Sequence, residues 1–208
     1  MTMSEMHALT ELQRDALREV ANIGAGHAAT ALSLMTGTKI LVSVPTVTVA
    51  PLTELAPPVT ATSDPVVVIP MEMSGSIHGQ TILAIPMDTK HKLLTLLLHR
   101  ESPSSVGLDE LETSALLEAG NILVGSYMTA LSEFLNMRLL PSPPSLDVGP
   151  GRQLLVDTAR RLGYGGGDVF CVETQFLVGG IDNTLPSYFL LLPDAGAVGM
   201  MLSAIRVG

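Results

Sequence analysis

The stretch DALREVANIGAGHAATAL, residues 15–32, occurs twice in this chain. Its second copy, SALLEAGNILVGSYMTAL at residues 114–131, aligns with it without a gap at a constant offset of 99 residues. The two copies are identical at Ala16/Ala115, Leu17/Leu116, Glu19/Glu118, Asn22/Asn121, Ile23/Ile122, Gly26/Gly125, Thr30/Thr129, Ala31/Ala130 and Leu32/Leu131. The register continues upstream, where LTELQ faces LDELE, and downstream, where Ser33 meets Ser132 and Pro45 meets Pro144. Self-similarity over this span at one fixed offset marks an internal duplication.

Each half follows one plan. After the helical stretch comes an extended run, KILVSVPTVTV in the first half and MRLLPSPPSLDV in the second. A Pro/Gly-rich connection follows. Two strand-like runs come next, PVVVIPMEMSG and QTILAIPM against DVFCVETQFLVGG and PSYFLLLP, joined by turns containing Gly or Asn. Each half closes on a helical pattern, DTKHKLLTLLLHRE or DAGAVGMMLSAI. The unit therefore reads helix–strand–connection–strand–strand–helix. Two such units predict an α+β fold: a continuous six-stranded sheet with pseudo-twofold symmetry, flanked by helices in an α/β sandwich-like arrangement. The repeats span about residues 9–101 and 108–208 and meet in the linker-like RESPSSVG, 100–107. The expectation is a single domain over residues 1–208.

Capping boxes set the register of both long helices: Thr10 with Gln13, and Asp109 with Glu112. At about 100° per residue, Asp15, Glu19 and Asn22 fall near 0°, 40° and 340°, with Gly26 near 20°. Leu17, Val20, Ala21, Ala28, Ala31, Leu32 and Met35 cluster on the opposite side as the core face. The second copy repeats the polar stripe as Ser114, Glu118, Asn121 and Gly125. Other outward positions diverged between the copies, Arg18 to Leu117 and His27 to Ser126, while Glu and Asn did not. Retention of a carboxylate and a carboxamide on a wet face points to function. A mid-helix glycine costs roughly 1 kcal/mol against alanine. On this stripe it removes bulk where another molecule's backbone would approach.

Composition narrows the function classes. The 208 residues are 47% hydrophobic and 15% charged, which suits a packed globular chain rather than a disordered one. With no Trp, 4 Phe, 3 Tyr and 11 Met, the core must be aliphatic and soft. A net charge of −9 and scattered Lys and Arg argue against nucleic acid, which needs clustered cations. The lone Cys171 excludes an internal disulfide and a multi-cysteine zinc site, and its strand-like surroundings make it a buried core thiol. No stretch has signal-peptide form and none is apolar over the 18 or more residues of a membrane span. A cytoplasmic protein without a membrane span is expected.

Rival motifs carry less. GAGHAA matches a dinucleotide fingerprint in letters, but a helix is already three turns old where the motif needs a preceding strand. Histidines 7, 27, 78, 91 and 99 show no spacing that would hold a metal, so no metal ligands are assigned. GYGGGD at 163–168 lacks the Lys and Ser/Thr of a phosphate loop.

The doubled pattern, Asp15-x3-Glu19-x2-Asn22-x22-Pro45 and Ser114-x3-Glu118-x2-Asn121-x22-Pro144, resembles the CheC/CheX/FliY family of chemotaxis phosphatases. The resemblance covers nearly the whole chain, and length with two complete motifs is most similar to the CheC type. His27, where many relatives carry Asn, departs from the pattern at about 120°, off the stripe. The resemblance implies a hydrolase that dephosphorylates the phospho-aspartyl response regulator CheY. Asn22 and Asn121 would orient the hydrolytic water, and Glu19 and Glu118 would hold a cationic group of the partner. Asp15, Gly26, Ser114 and Gly125 would contribute to docking. It also implies that this chain, a monomer by itself, needs no cofactor, because Mg²⁺ comes with the regulator.

A reading from another class stays open: a module that binds a phosphorylated regulator or the deamidase CheD, which the resemblance implies as a second partner, without turnover. The terminal DAGAVGMMLSAIRVG bears on this. Against its charged counterpart at 88–101 it has lost a solvating side. It either packs deeper in the core or offers a Met-rich, glycine-flattened face to another protein.

Overall fold

The computed structural model describes residues 9–55, 59, 64–99, 107–161, 163, 168–178 and 185–205. The first long helix, α1, spans Glu11–Thr36, and its counterpart α3 spans Glu110–Leu135. Both begin with the expected reciprocal caps. Gln13 N donates to Thr10 Oγ1 at 3.2 Å and Thr10 N to Gln13 Oε1 at 3.0 Å. At α3, Glu112 N donates to Asp109 Oδ1 at 2.7 Å and Asp109 N to Glu112 Oε2 at 3.1 Å. Both helices stop at a residue in the left-handed region, Gly37 and Asn136.

The remaining elements of the first half are β1 (Leu41–Val42), β2 (Thr46–Pro51), a 3₁₀ turn at Leu52–Glu54, β3 (Pro65–Gly75), β4 (Gly79–Pro86) and α2 (Met87–Leu98). The second half supplies β5 (Leu139–Pro141), β6 (Asp147–Pro150), α4 (Gly151–Arg161), β7 (Asp168–Val178), β8 (Leu185–Pro193) and α5 (Ala195–Ala204). All pair antiparallel in one sheet whose main path is β1-β7-β8-β4-β3-β5. That path has the six strands expected, with β2 continuing beside β7 and β6 beside β3. The single extended run expected in each half is thus two short strands. A serine at the same repeat position bridges each break. Ser43 N donates to Gln175 O while Gln175 N donates to Ser43 Oγ, and Ser142 exchanges the same two bonds with Glu72.

The halves interlock. β1 and β2 pair with β7, and β5 and β6 pair with β3, so each half's opening strands lie on the other half's hairpin. The hairpins themselves meet at β4 and β8, from Gly79↔Pro193 to Ala84↔Tyr188.

Helices α1, α2, α3 and α5 cover one face of the sheet, over a core that includes Leu17, Ile69, Tyr127, Phe176 and Phe189. The 3₁₀ turn and α4 cover part of the other, over Val66, Val68, Ile82, Leu155, Cys171 and Leu190. Covering both faces explains why PVVVIP in β3 is an unbroken apolar run: five of its six residues, Val66–Pro70, are buried. Each fully buried Leu or Ile contributes about 1.5–3 kcal/mol. Cys171 has no exposed surface, and burial pushes its thiol well above the ordinary range.

The second Pro/Gly-rich connection contains a helix, α4, that the sequence plan did not include. GRQLLVDTARR buries Leu155 and Thr158 and is braced by the ion pair of Arg161 with Asp147. Its signal was an apolar pair of leucines within an 11-residue charged segment, too short for periodicity to stand out.

Candidate functional site

Asp15, Glu19 and Asn22 are all exposed along one line of α1, and Gly26 continues it half-buried. On α3, Ser114, Glu118 and Asn121 are exposed and Gly125 is half-buried at the matching positions. The opposite sides of both helices are buried, including Leu17, Val20, Ala21, Leu116, Ala119 and Leu123. Each stripe is therefore a free surface on a helix whose backbone is fixed by core packing, which sets the spacing between its side chains. The structure brings each expected set together. Ala31 and Met35, expected in the core, are only half-buried at its rim.

The two glycines of the opening stretch part company. A Cβ on Gly26 or on Gly125 would meet nothing within 4 Å among the described residues. At Gly24 it would lie 3.0 Å from ring atoms of Tyr127, a fully buried side chain of α3. Gly24 is thus a packing residue, and only Gly26 and Gly125 keep the stripe flat.

Hydrogen bonding is matched in both copies. Thr30 Oγ1 donates to Gly26 O and Thr129 Oγ1 donates to Gly125 O, each at 2.8 Å. These bonds span the turn from each stripe glycine to the threonine four residues on. Among the described residues, Glu19, Asn22, Glu118 and Asn121 have no side-chain hydrogen bond or ion pair, so all four remain available to another molecule. The stripes differ at their first polar position. Asp15 is ion-paired with Arg18, whereas Ser114 has Leu117 at the corresponding place.

His27 lies off its own stripe, as expected. It nevertheless lines a surface groove between the long helices with Ile122, Gly125, Ser126 and Thr129 of α3. Sequence reasoning missed this neighbour of the second stripe because the helix crossing, not the helix register, brings it there. Among the described residues, no group of three or more His, Cys, Asp or Glu could hold a metal ion. No helix among them is long and apolar enough to cross a membrane.

The CheC-like family model matches residues 12–49 and 111–147, each a long helix with the strand segments that follow it. The CheY-P phosphatase CheC of Bacillus subtilis is 30% identical over 194 residues, 92% of this chain and 93% of that protein. The chain belongs to the CheC-like family. The flagellar motor switch phosphatase FliY of B. subtilis is also similar, 29% identical over 69% of this chain. The match spans only 38% of that longer protein. The crystal structure of Thermotoga maritima FliY superposes with a TM-score of 0.75 at 26% identity, covering 95% of this chain and 98% of that one. In this CheC-like chain the family match begins two residues after the Thr10 cap and ends at Asp147, so it includes both stripes in full.

Proposed function

We propose that this CheC-like chain is a phosphatase that hydrolyses the aspartyl phosphate of a CheY-type response regulator at two pseudo-symmetric sites, Glu19/Asn22 and Glu118/Asn121. The observation that carries the reading is the pair of exposed, unengaged Glu and Asn side chains retained at one spacing in both copies. The names and extent of the curated CheC and FliY relatives support the phosphatase class.

In the proposed step, water attacks phosphorus in line, the bond to the aspartyl oxygen breaks, and inorganic phosphate leaves with the carboxylate restored. A carboxamide accepts a hydrogen bond through its oxygen and donates through its nitrogen. Asn22 or Asn121 can therefore orient the water and contact a phosphoryl oxygen together. Glu19 or Glu118 pairs with a cationic group beside the phosphorylation site and fixes the partner's register. Positioning of this kind is what phosphoryl transfer asks of a protein. Charge developing on the phosphoryl group is met by Mg²⁺ of the regulator, so no metal ligand is required here. Gly26 and Gly125, with Asp15 and Ser114, shape the docking surface.

A second partner is favoured by α5. Its Ala197, Val198, Met201 and Leu202 are buried, while Gly196, Gly199, Met200 and Ser203 line an open groove with Met137. We assign this face to the deamidase CheD, separate from the two stripes.

The test of the phosphatase reading is the decay of a phosphorylated CheY-type regulator with and without this protein. Accelerated decay is expected. Measurable binding with an unchanged rate would replace the phosphatase by a non-catalytic binding module.

A further inference from the structure

We infer that Leu12 and Leu111 form an apolar foot of each site, receiving a nonpolar spot on the phosphorylated response regulator; this rests on the function proposed above and extends its contact surface. Leu12, Asp15, Glu19, Asn22 and Gly26 are spaced by three, four, three and four residues, one continuous line along α1. Leu111, Ser114, Glu118, Asn121 and Gly125 form the same line on α3. Leu12 is 69% exposed and Leu111 is 55% exposed.

A single exposed leucine means little, because soluble proteins carry many. Here the residue is the same in both copies and open in both. The other strongly exposed apolar side chains differ on this point. Leu34 is 81% exposed and its repeat partner is Glu133, while Val44 is 78% exposed opposite Pro143. Leu140 and Val148 keep their residue type at Leu41 and Val49, but those copies are half-buried. Among the described residues, only the Leu12/Leu111 pair is large, apolar, identical and exposed in both copies.

The backbone at each leucine is also fixed. Both sit in the first helical turn, between the two residues of a capping box whose reciprocal bonds are formed. The turn is closed rather than frayed, so no helix turn has to be ordered at the moment a partner meets the leucine. At about 1.5 Å of rise per residue, Leu12 lies roughly 15 Å along the axis from Asn22. The occupant must therefore present an apolar spot about that far from its phosphoryl group. Uncharged and distant from the reacting atoms, the leucines act on partner binding and not on the chemical step.

The experiment follows single-turnover decay of a CheY-type regulator, phosphorylated by a small phosphodonor, over a range of concentrations of this protein in excess. The double variant Leu12→Gln with Leu111→Gln keeps helix-forming residues at both places. Its half-saturating concentration is expected to rise roughly tenfold, the scale for losing a buried apolar contact, with the maximal rate unchanged. Leu34→Gln, more exposed but off the line, should leave both parameters as in the wild type. An unchanged half-saturation in the double variant, beside an active wild type, overturns the inference and leaves the phosphatase reading intact. An equal rise with Leu34→Gln overturns it as well, because the contact would then be unspecific. A wild type that never accelerates decay removes the phosphatase reading itself, and the inference with it.

Discussion

Gly24 and Tyr127 face each other where the two long helices pack, with the space for a Cβ on Gly24 ending 3.0 Å from the ring. The ring is fully buried and its centroid is 4.6 Å from that of Phe189. The repeat-related positions reverse the sizes: Leu123 stands for Gly24 and Ala28 for Tyr127, both buried. Bulk that one repeat carries on α3 at Tyr127 is thus compensated by a glycine on α1.

This pairing separates two glycines that look alike in sequence. Gly24→Ala should destabilise by about 1 kcal/mol net, because overpacking at roughly 1–3 kcal/mol exceeds the gain in helix propensity of about 1 kcal/mol. Gly26→Ala, with open space around it, should stabilise by up to about 1 kcal/mol while slowing dephosphorylation, because the added Cβ stands on the proposed docking surface. Denaturant unfolding of both variants measures the difference. Equal stabilisation by the two would show that Tyr127 does not restrict the site.

Replacing both asparagines, Asn22→Ala with Asn121→Ala, should abolish accelerated decay of the phosphorylated regulator while binding largely survives. Each single variant should keep partial activity, since each stripe is complete on its own helix. Near wild-type acceleration in the double variant would remove water orientation by Asn from the mechanism.

Isolated protein titrated with Mg²⁺ in a calorimeter should show no tight stoichiometric binding, because the proposed chemistry leaves the metal with the regulator. A stoichiometric site would transfer part of the charge neutralisation to this chain.

Met200 is 46% exposed on the open side of α5, so Met200→Glu should preserve the fold. It should weaken CheD binding by introducing a charge into an apolar contact, and leave dephosphorylation unchanged. Unaltered CheD binding in a pull-down would move the partner surface away from α5.

Lys90 has no exposed surface, and its Nζ lacks a hydrogen-bond partner among the described residues. Loss of hydration lowers its pKa below the ordinary 10.5, and the Glu112 carboxylate offsets part of that fall. Between the lowered value and 10.5 the unfolded chain binds more protons than the folded one. This group's contribution to stability therefore rises with pH across that window. Lys90→Met should be more stable than the wild type at pH 7, with the gap narrowing toward pH 10.5. A gap independent of pH would assign the effect to packing alone.

The sequence by itself determined the repeat, the caps and registers of α1 and α3, and the outward face bearing Glu19, Asn22, Glu118 and Asn121. These are local properties: hydrogen bonds three residues apart and a 3.6-residue period decide them within one segment. It also located the strands β3, β4, β7 and β8 to within a residue or two, because long apolar runs bounded by Gly, Pro and Asp have few other uses. Only the tertiary structure decided that β1 and β2 pair with β7 while β5 and β6 pair with β3. Strand pairing is made by backbone groups common to nearly all residue types, so a duplicated chain satisfies them equally within a half or across halves. The place of Gly24 under Tyr127 and of His27 beside Gly125 follows from the same cause. Both depend on how two helices cross, and a helix's own periodicity holds no information about its neighbour's side chains.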